Sequence, residues 1–343
     1  MYSESDIDGA VAAGVIPRDV ATAFRNHVAA GRDAPAVDEE HFRLLTGFND
    51  IFVTIAIALL LAAVAQIGGA ITEALGGAFV AIAAWALAEY FTRRRHMALP
   101  SIVLLLAFVG GVAATMIGAL VHADPDLPDR VNALIAAGIA LVTAGAAWLH
   151  WRRFMVPITV AAGAVALVGL AIGLAIAAVP TIKNSLYPLL LIGGLAMFAL
   201  AMRWDMSDRD RETRRADVAF WLHLAAAPMI AHPIFQMLGV FGPNVSIGTA
   251  TIVLALYLAF AFVALAVDRR ALLVSGLIYV LYAMWAVIRG AGAVDLGWAL
   301  TALVIGAALL TLSAFWHPMR RAVIGTLGNL GNRLPPVQTM VAA

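Results

Sequence analysis

Two histidines and two prolines interrupt the apolar stretch WLHLAAAPMIAHPIFQ, residues 221–236. Histidine exchanges protons near neutral pH and binds metals, whereas proline removes a backbone hydrogen bond from a helix. His223 and His232 are nine residues apart, which places them about half a turn out of phase on a straight helix. They are therefore poorly placed to share one metal ion, and the sequence predicts neither a metal site nor a cofactor.

Two explanations of this stretch remain open. In the first, the histidines are structural and donate hydrogen bonds to the carbonyls that Pro228 and Pro233 leave unpaired in a lipid environment. In the second, the prolines loosen a helix that lines a polar path, with His223 in its cytoplasmic half and His232 in its outer half. His232 and Gln236 are four residues apart, so they share a helix face and would both line that path.

A second group of polar residues lies at the start of the first apolar run. Asn49 and Asp50 interrupt LLTGFNDIFV. If the first helix begins at Phe42, Asp50 is submerged and becomes the best candidate for a buried carboxylate. If the helix begins at Ile51, Asp50 lies at the membrane interface.

Further polar residues adjoin this group. Glu89 and Tyr90 close the second apolar run, where Glu89 can pair with Arg93 four residues later. Gln66 would continue a polar path toward the other side of the membrane. The alternative interpretation is that these residues are ordinary interfacial groups.

The composition places these residues in a membrane protein. Of 343 residues, 63% are hydrophobic and 13% are charged, and the mean hydropathy is +0.92. A membrane-spanning helix needs about 20 apolar residues, and the runs do not alternate as barrel strands do. The sequence predicts an all-α, polytopic transmembrane helical bundle of about ten spans: Ile51–Ile71, Ala74–Phe91, Ile102–Val121, Val131–Leu149, Phe154–Val179, Leu186–Met202, Val218–Leu238, Ile247–Val267, Leu272–Ile288 and Leu296–Phe315.

The ionisable residues narrow the functional classes. All 21 Asp and Glu residues are expected in loops or at span ends, and no arginine is expected within a span. This argues against a carboxylate-driven pump and against a voltage sensor. The absence of cysteine excludes thiol chemistry, and the net charge of +1 argues against a nucleic-acid partner.

Arginines predict the orientation, because basic residues stay on the cytoplasmic side. With ten spans, nineteen of the 22 basic residues fall on one side, and only Arg130, Lys183 and Arg289 fall on the other. Both termini are therefore predicted to be cytoplasmic.

Three regions are predicted along the chain. Residues 1–45 form a cytosolic helical hairpin and linker, with helices up to Ala13 and from Pro17 to Ala30; residues 46–317 form the bundle; and residues 318–343 form a basic cytoplasmic tail. The hairpin is too short for its own core, so it is expected to rest on the bundle, the membrane or a protein partner. No signal peptide is recognised, so the first span is expected to direct insertion.

Glycines predict where helices pack closely, because small residues let backbones approach each other in membranes. The positions are Gly68, Gly69, Gly110, Gly111, Gly193 and Gly194, together with Gly169 and Gly173 in GxxxG spacing. Arginine pairs also recur once per helical hairpin. This recurrence fits either simple charge bias or an inverted repeat of five spans.

The hairpin sequence AVAAGVIPRDVATAFRNHV, followed by many spans, resembles the layout of uncharacterised bacterial multi-pass inner-membrane proteins. The resemblance implies a bacterial inner membrane and no particular activity. We therefore predict a transporter or permease for a small solute or lipid, in contact with the lipid bilayer. The alternative is a non-catalytic sensor or assembly partner that acts through the hairpin and the 203–217 loop. An enzyme ranks third, because no motif places a nucleophile beside a base.

Overall fold

The computed structural model describes residues 4–30, 48–123, 126–208, 213–240, 247–270, 272–273, 277, 280–282, 284–285, 297–328 and 334. All regular secondary structure within these ranges is helical. The α-helices, in chain order, are α1 (Glu4–Ala12), α2 (Arg18–Ala30), α3 (Phe48–Gly69), α4 (Glu73–Phe91), α5 (Ala98–Ala123), α6 (Asp129–Phe154), α7 (Ile158–Ala178), α8 (Leu186–Met206), α9 (Arg214–Met237), α10 (Ile247–Val267), α11 (Gly297–Ala314) and α12 (Trp316–Leu327). A short 3₁₀ helix, Pro180–Ser185, precedes α8.

The structure divides into two compact units, of which the first contains α1 and α2. These are the two helices predicted for the amino-terminal hairpin. Gly14, with a φ of +71°, occupies the turn between them, and Arg25 of α2 binds Asp8 of α1 at 2.6 Å. Val15, Val20 and Phe24 remain largely exposed.

The second unit contains the later helices, and α3 to α9 are each long and apolar enough to cross a membrane. These seven candidate spans make the chain a multi-pass, all-helical membrane protein. Helix α10 contains a shorter apolar segment, Thr251–Val267. Helices α11 and α12 would add an eighth span as a pair bent by 76°. The predicted ninth span, 272–288, lies largely outside the described residues.

Local chemistry accounts for several helix ends. Helix α4 begins where the Thr72 side chain accepts a hydrogen bond from the Leu75 amide at 3.2 Å. Helices α6 and α10 are followed by left-handed residues, Met155 and Asp268. Helix α9 continues through Pro228 and Pro233 without interruption.

The helices pack as antiparallel neighbours, notably α4 with α5, α6 with α7 and α8 with α9. Glycine backbones touch neighbouring helices at several crossings. A Cβ at Gly111 would lie 2.8 Å from the Gly77 carbonyl oxygen, and one at Gly194 would lie 2.8 Å from the Met229 backbone. Gly68, Gly173 and Gly193 are similarly close to neighbouring atoms, whereas Gly69 and Gly110 face open space. In each of the first two predicted pairs, one glycine therefore contacts the neighbouring helix: Gly68 in the first pair and Gly111 in the second.

The helix order places many arginines at one end of the second unit, which we call the arginine end. It comprises the α4–α5 and α6–α7 turns, the end of α8 and the end of α10. Glu89 and Arg153 join the ends of α4 and α6, and Asp205 and Arg269 join the ends of α8 and α10. At the opposite end, Lys183 binds Asp129.

Candidate functional site

A buried ion cluster joins three helices at the arginine end. Asp205 lies in the last turn of α8, His223 lies in α9, and Arg269 follows the end of α10. All three side chains are almost completely buried. We call these residues the triad.

The triad places the Asp205 carboxylate between two hydrogen-bond donors, Arg269 and His223. Arg269 donates hydrogen bonds to both carboxylate oxygens of Asp205, with Nε 3.2 Å from Oδ2. An ionised carboxylate only accepts hydrogen bonds, so His223 Nε2–H donates to Asp205 Oδ2, 2.7 Å away. Arg269 also donates to the Ala216 carbonyl oxygen at 3.3 Å. The carboxylate is thus paired with two donor side chains, and its hydrogen bond to Nε2 orients the imidazole.

Packing between α8 and α9 positions these side chains. Gly194 and Met229 are in backbone contact near the middle of the two helices, which brings the end of α8 beside the third turn of α9. The Phe198 ring meets the His223 ring edge-on, with centroids 5.2 Å apart. The imidazole is therefore held by an aromatic ring as well as by the carboxylate.

A second buried ion pair adjoins the triad through the backbone. Asp268 has a φ of +61°, which is an uncommon conformation for a residue other than glycine. Its carboxylate accepts a hydrogen bond from Trp316 Nε1 at 2.8 Å and lies 3.4 Å from Arg320 Nε. Arg270 stacks on the Trp316 ring at 5.0 Å. Asp268 therefore ties α12 to the end of α10, next to Arg269.

These contacts correct one expectation. Asp205 was assigned to a 203–217 loop, but α8 continues to Met206, so Asp205 lies in the last turn of that helix. Arg269 and Arg320 lie outside the predicted spans, as expected, but both are buried. Each guanidinium meets a carboxylate, and this charge pairing offsets the cost of burial.

The two histidines occupy different levels of the α8–α9 contact. His223 is fully buried in the triad. His232 is half-buried, with its ring 5.9 Å from that of Tyr187, near the start of α8. Gln236 is also half-buried. The structure does not bring the two histidines together. Both belong to α9 and contact residues of α8. We call the contact between these two helices the α8–α9 seam.

The polar residues of α3 differ in how much of each side chain is exposed. Asp50, in the first turn of α3, is buried, and its backbone carbonyl accepts a hydrogen bond from Thr54 Oγ1 at 2.6 Å. Asn49 and Gln66 are exposed. The structure describes α3 from Phe48, so the predicted start at Phe42 lies outside the described residues.

Glu89 and Tyr90 bind arginines at the arginine end. Glu89 lies 3.4 Å from Arg93, as expected, but its stronger partner is Arg153 of α6, with oxygen–nitrogen distances of 2.6 and 2.8 Å. Tyr90 is exposed and contacts Arg95. These contacts form a group separate from the triad.

One further buried histidine was missed because it directly follows the apolar run ending at Leu149. His150 is fully buried and packs against the rings of Trp85, Phe108 and Phe154. Its Nδ1 lies 3.4 Å from Thr159 Oγ1. His150 lies near the end of α6, two residues before Arg152.

An open groove of about 610 Å³ runs along the last turns of α8. Its lining residues are Phe198, Ala199, Met202, Arg203, Met206 and Ser207. Among the described residues, no group of three or more His, Cys, Asp or Glu side chains is arranged to hold a metal ion.

Comparisons with protein-family models, curated proteins and solved structures found no match to this chain.

Proposed function

We propose that this chain is a transporter or permease of the bacterial inner membrane that moves a small solute or lipid along the α8–α9 seam. In this proposal the chain crosses the membrane ten times, with the arginine end and both termini in the cytoplasm. The positive-inside rule supports that orientation. The triad is the cytoplasmic closure of the path.

The observation that carries the proposal is the buried triad itself. Charges within membrane-spanning segments are costly and therefore mark functional sites by default. Asp205 lies at the end of α8, His223 lies in α9 and Arg269 follows α10, so breaking their contacts would loosen the junction of these helices at the arginine end. A closure that opens by exchange of ion pairs has this arrangement.

The other end of the seam supports the same function. His232 and Gln236 are half-buried there, and Tyr187 is partly exposed. Polar groups accessible at one end and sealed at the other are expected of a transporter closed on one side.

Cysteine accessibility tests this proposal directly, because the chain contains no cysteine of its own. Gln236→Cys should react with a membrane-impermeant maleimide from the periplasmic side of vesicles. Ala227→Cys, close to the triad, should react poorly from the cytoplasmic side. Adding Asp205→Asn should increase that cytoplasmic reaction several-fold, since the closure is weakened.

The matched control is Glu89→Gln, which removes an exposed ion pair at the same end and should leave Ala227→Cys protected. If Gln236→Cys is inert from both sides, and Asp205→Asn changes nothing at Ala227→Cys, the transport proposal is wrong.

A second candidate function is favoured by the hairpin. Val15, Val20 and Phe24 are 73%, 51% and 54% exposed, which is typical of a surface that binds another protein. A non-catalytic sensor or assembly partner would use this surface. In that case Phe24→Ser should reduce the native size of the solubilised protein, while the exposed control Thr22→Ser should not.

A further inference from the structure

The groove on α8 has an apolar part and a charged end. Phe198, Ala199 and Met202 supply its apolar part, and Arg203, Met206 and Ser207 line its charged end. These residues recur at helical spacing, so they lie on one face of α8. Earlier on the same helix, Ile192 and Leu195 are largely exposed. The face is therefore suited to contact with lipid chains.

Arg203 is the charged group of the groove. It is exposed, and the described residues include no carboxylate within ion-pair distance of it. Ser207 Oγ instead donates a hydrogen bond to the Trp204 carbonyl oxygen at 2.7 Å. An anion beside Arg203 would therefore compete with no protein carboxylate.

We propose that this groove binds an anionic phospholipid, with one acyl chain along Phe198, Ala199 and Met202 and the phosphate at Arg203. The order of the groove matches the order of the lipid, because apolar residues lie within the candidate span and the guanidinium lies at its end. Arginine pairs well with phosphate oxygens. A free phosphate would use only Arg203 and would leave the apolar lining without a role.

The groove also contacts the triad through one side chain. Phe198 lines the groove, and its ring packs against His223. A lipid in the groove would therefore support the side of Phe198 opposite the imidazole. This site is independent of transport, since its argument depends only on α8 and a surrounding membrane.

Thermal unfolding of the full chain in a neutral detergent tests the proposal. Phosphatidylglycerol should raise the unfolding temperature in a saturable way, and phosphatidylcholine should do so much less. Arg203→Gln should weaken the apparent affinity for phosphatidylglycerol about fivefold, the value of one arginine near an anionic lipid surface. Ala199→Phe, which fills the groove at an exposed position, should also weaken it while retaining Arg203.

The matched control is Arg94→Gln, which removes an exposed arginine outside the groove and should leave the response unchanged. Equal responses of Arg203→Gln and Arg94→Gln would overturn the proposal, as would an unaltered response of Ala199→Phe. An equal shift from inorganic phosphate alone would overturn the lipid assignment. An equal shift from phosphatidylcholine would overturn the requirement for an anion.

Discussion

Two carboxylates, Glu89 and Asp205, occupy matching places in the last turns of α4 and α8. Each binds an arginine 64 residues later through two guanidinium nitrogens. The Glu89 side chain remains 33% exposed, whereas that of Asp205 is 1% exposed and also accepts a hydrogen bond from His223. Similar ion pairs thus form a solvated contact in one region and a buried junction in the other.

The helices that carry these pairs both meet their neighbours through glycine. Gly77 packs against Gly111 where α4 crosses α5, and Gly194 packs against Met229 where α8 crosses α9. The two regions differ in their charges, because Asp205 binds His223 of α9 and Arg269 in a buried position. Loss of the carboxylate should therefore cost more stability at Asp205 than at Glu89.

The largest effect is expected from Asp205→Ala. It leaves Arg269 and His223 buried without their carboxylate, and removing one member of a buried ion pair costs about 3–5 kcal/mol. The free energy of unfolding, measured by denaturant titration in mixed micelles, should fall by about this amount.

Asp205→Asn is the conservative companion, since its amide oxygen still accepts a hydrogen bond. It should recover part of the loss. If Asp205→Ala cost under about 1 kcal/mol, as is typical of exposed pairs, the triad would be solvated rather than buried.

A smaller effect is expected from Gly111→Ala. The added methyl group would meet the Gly77 carbonyl oxygen and the Ala81 amide nitrogen, each 2.8 Å away. Overpacking of this kind costs about 1–3 kcal/mol. Gly110→Ala is the control, because nothing lies within 4 Å of its Cβ position. Equal results for the two variants in the same titration would refute the close crossing of α4 and α5.

The smallest effect is expected from Glu89→Gln. Water can solvate both Glu89 and Arg153, so loss of their attraction should leave the free energy of unfolding almost unchanged. The same titration, with Asp205→Asn alongside, measures the difference. A loss as large as that of Asp205→Asn would remove the distinction between the two regions.

The helical membrane architecture could be predicted from the sequence, because every long apolar run carries its own signal. Helices α3 to α9 correspond to seven of the predicted runs. The number of ten spans remains a prediction, since residues 286–296 and most of 271–283 are outside the described part of the chain. The two prolines predicted a loosened helix, but α9 continues through Pro228 and Pro233 without interruption.

The triad could not be predicted, because its members are distant in sequence and two of them, Asp205 and Arg269, lie just beyond the ends of apolar runs. Asp205 follows Trp204 and resembles an interfacial acid until α9 and Arg269 cover it. Asp268 and Arg269 likewise follow an apolar run directly, which is typical of an exposed turn. Only His223 carried a local signal, as a histidine within an apolar run. The sequence did not identify the partner of His223, because that partner is determined by which helices pack together.

The 64-residue separation within the triad has a consequence for biosynthesis. At about 5–20 residues per second, a ribosome needs about 3–13 seconds to progress from Asp205 to Arg269. Throughout that interval the nascent chain carries the acid without its guanidinium. The contacts between α8 and α9 can form in that interval, whereas the triad is complete only after Arg269 has been synthesised.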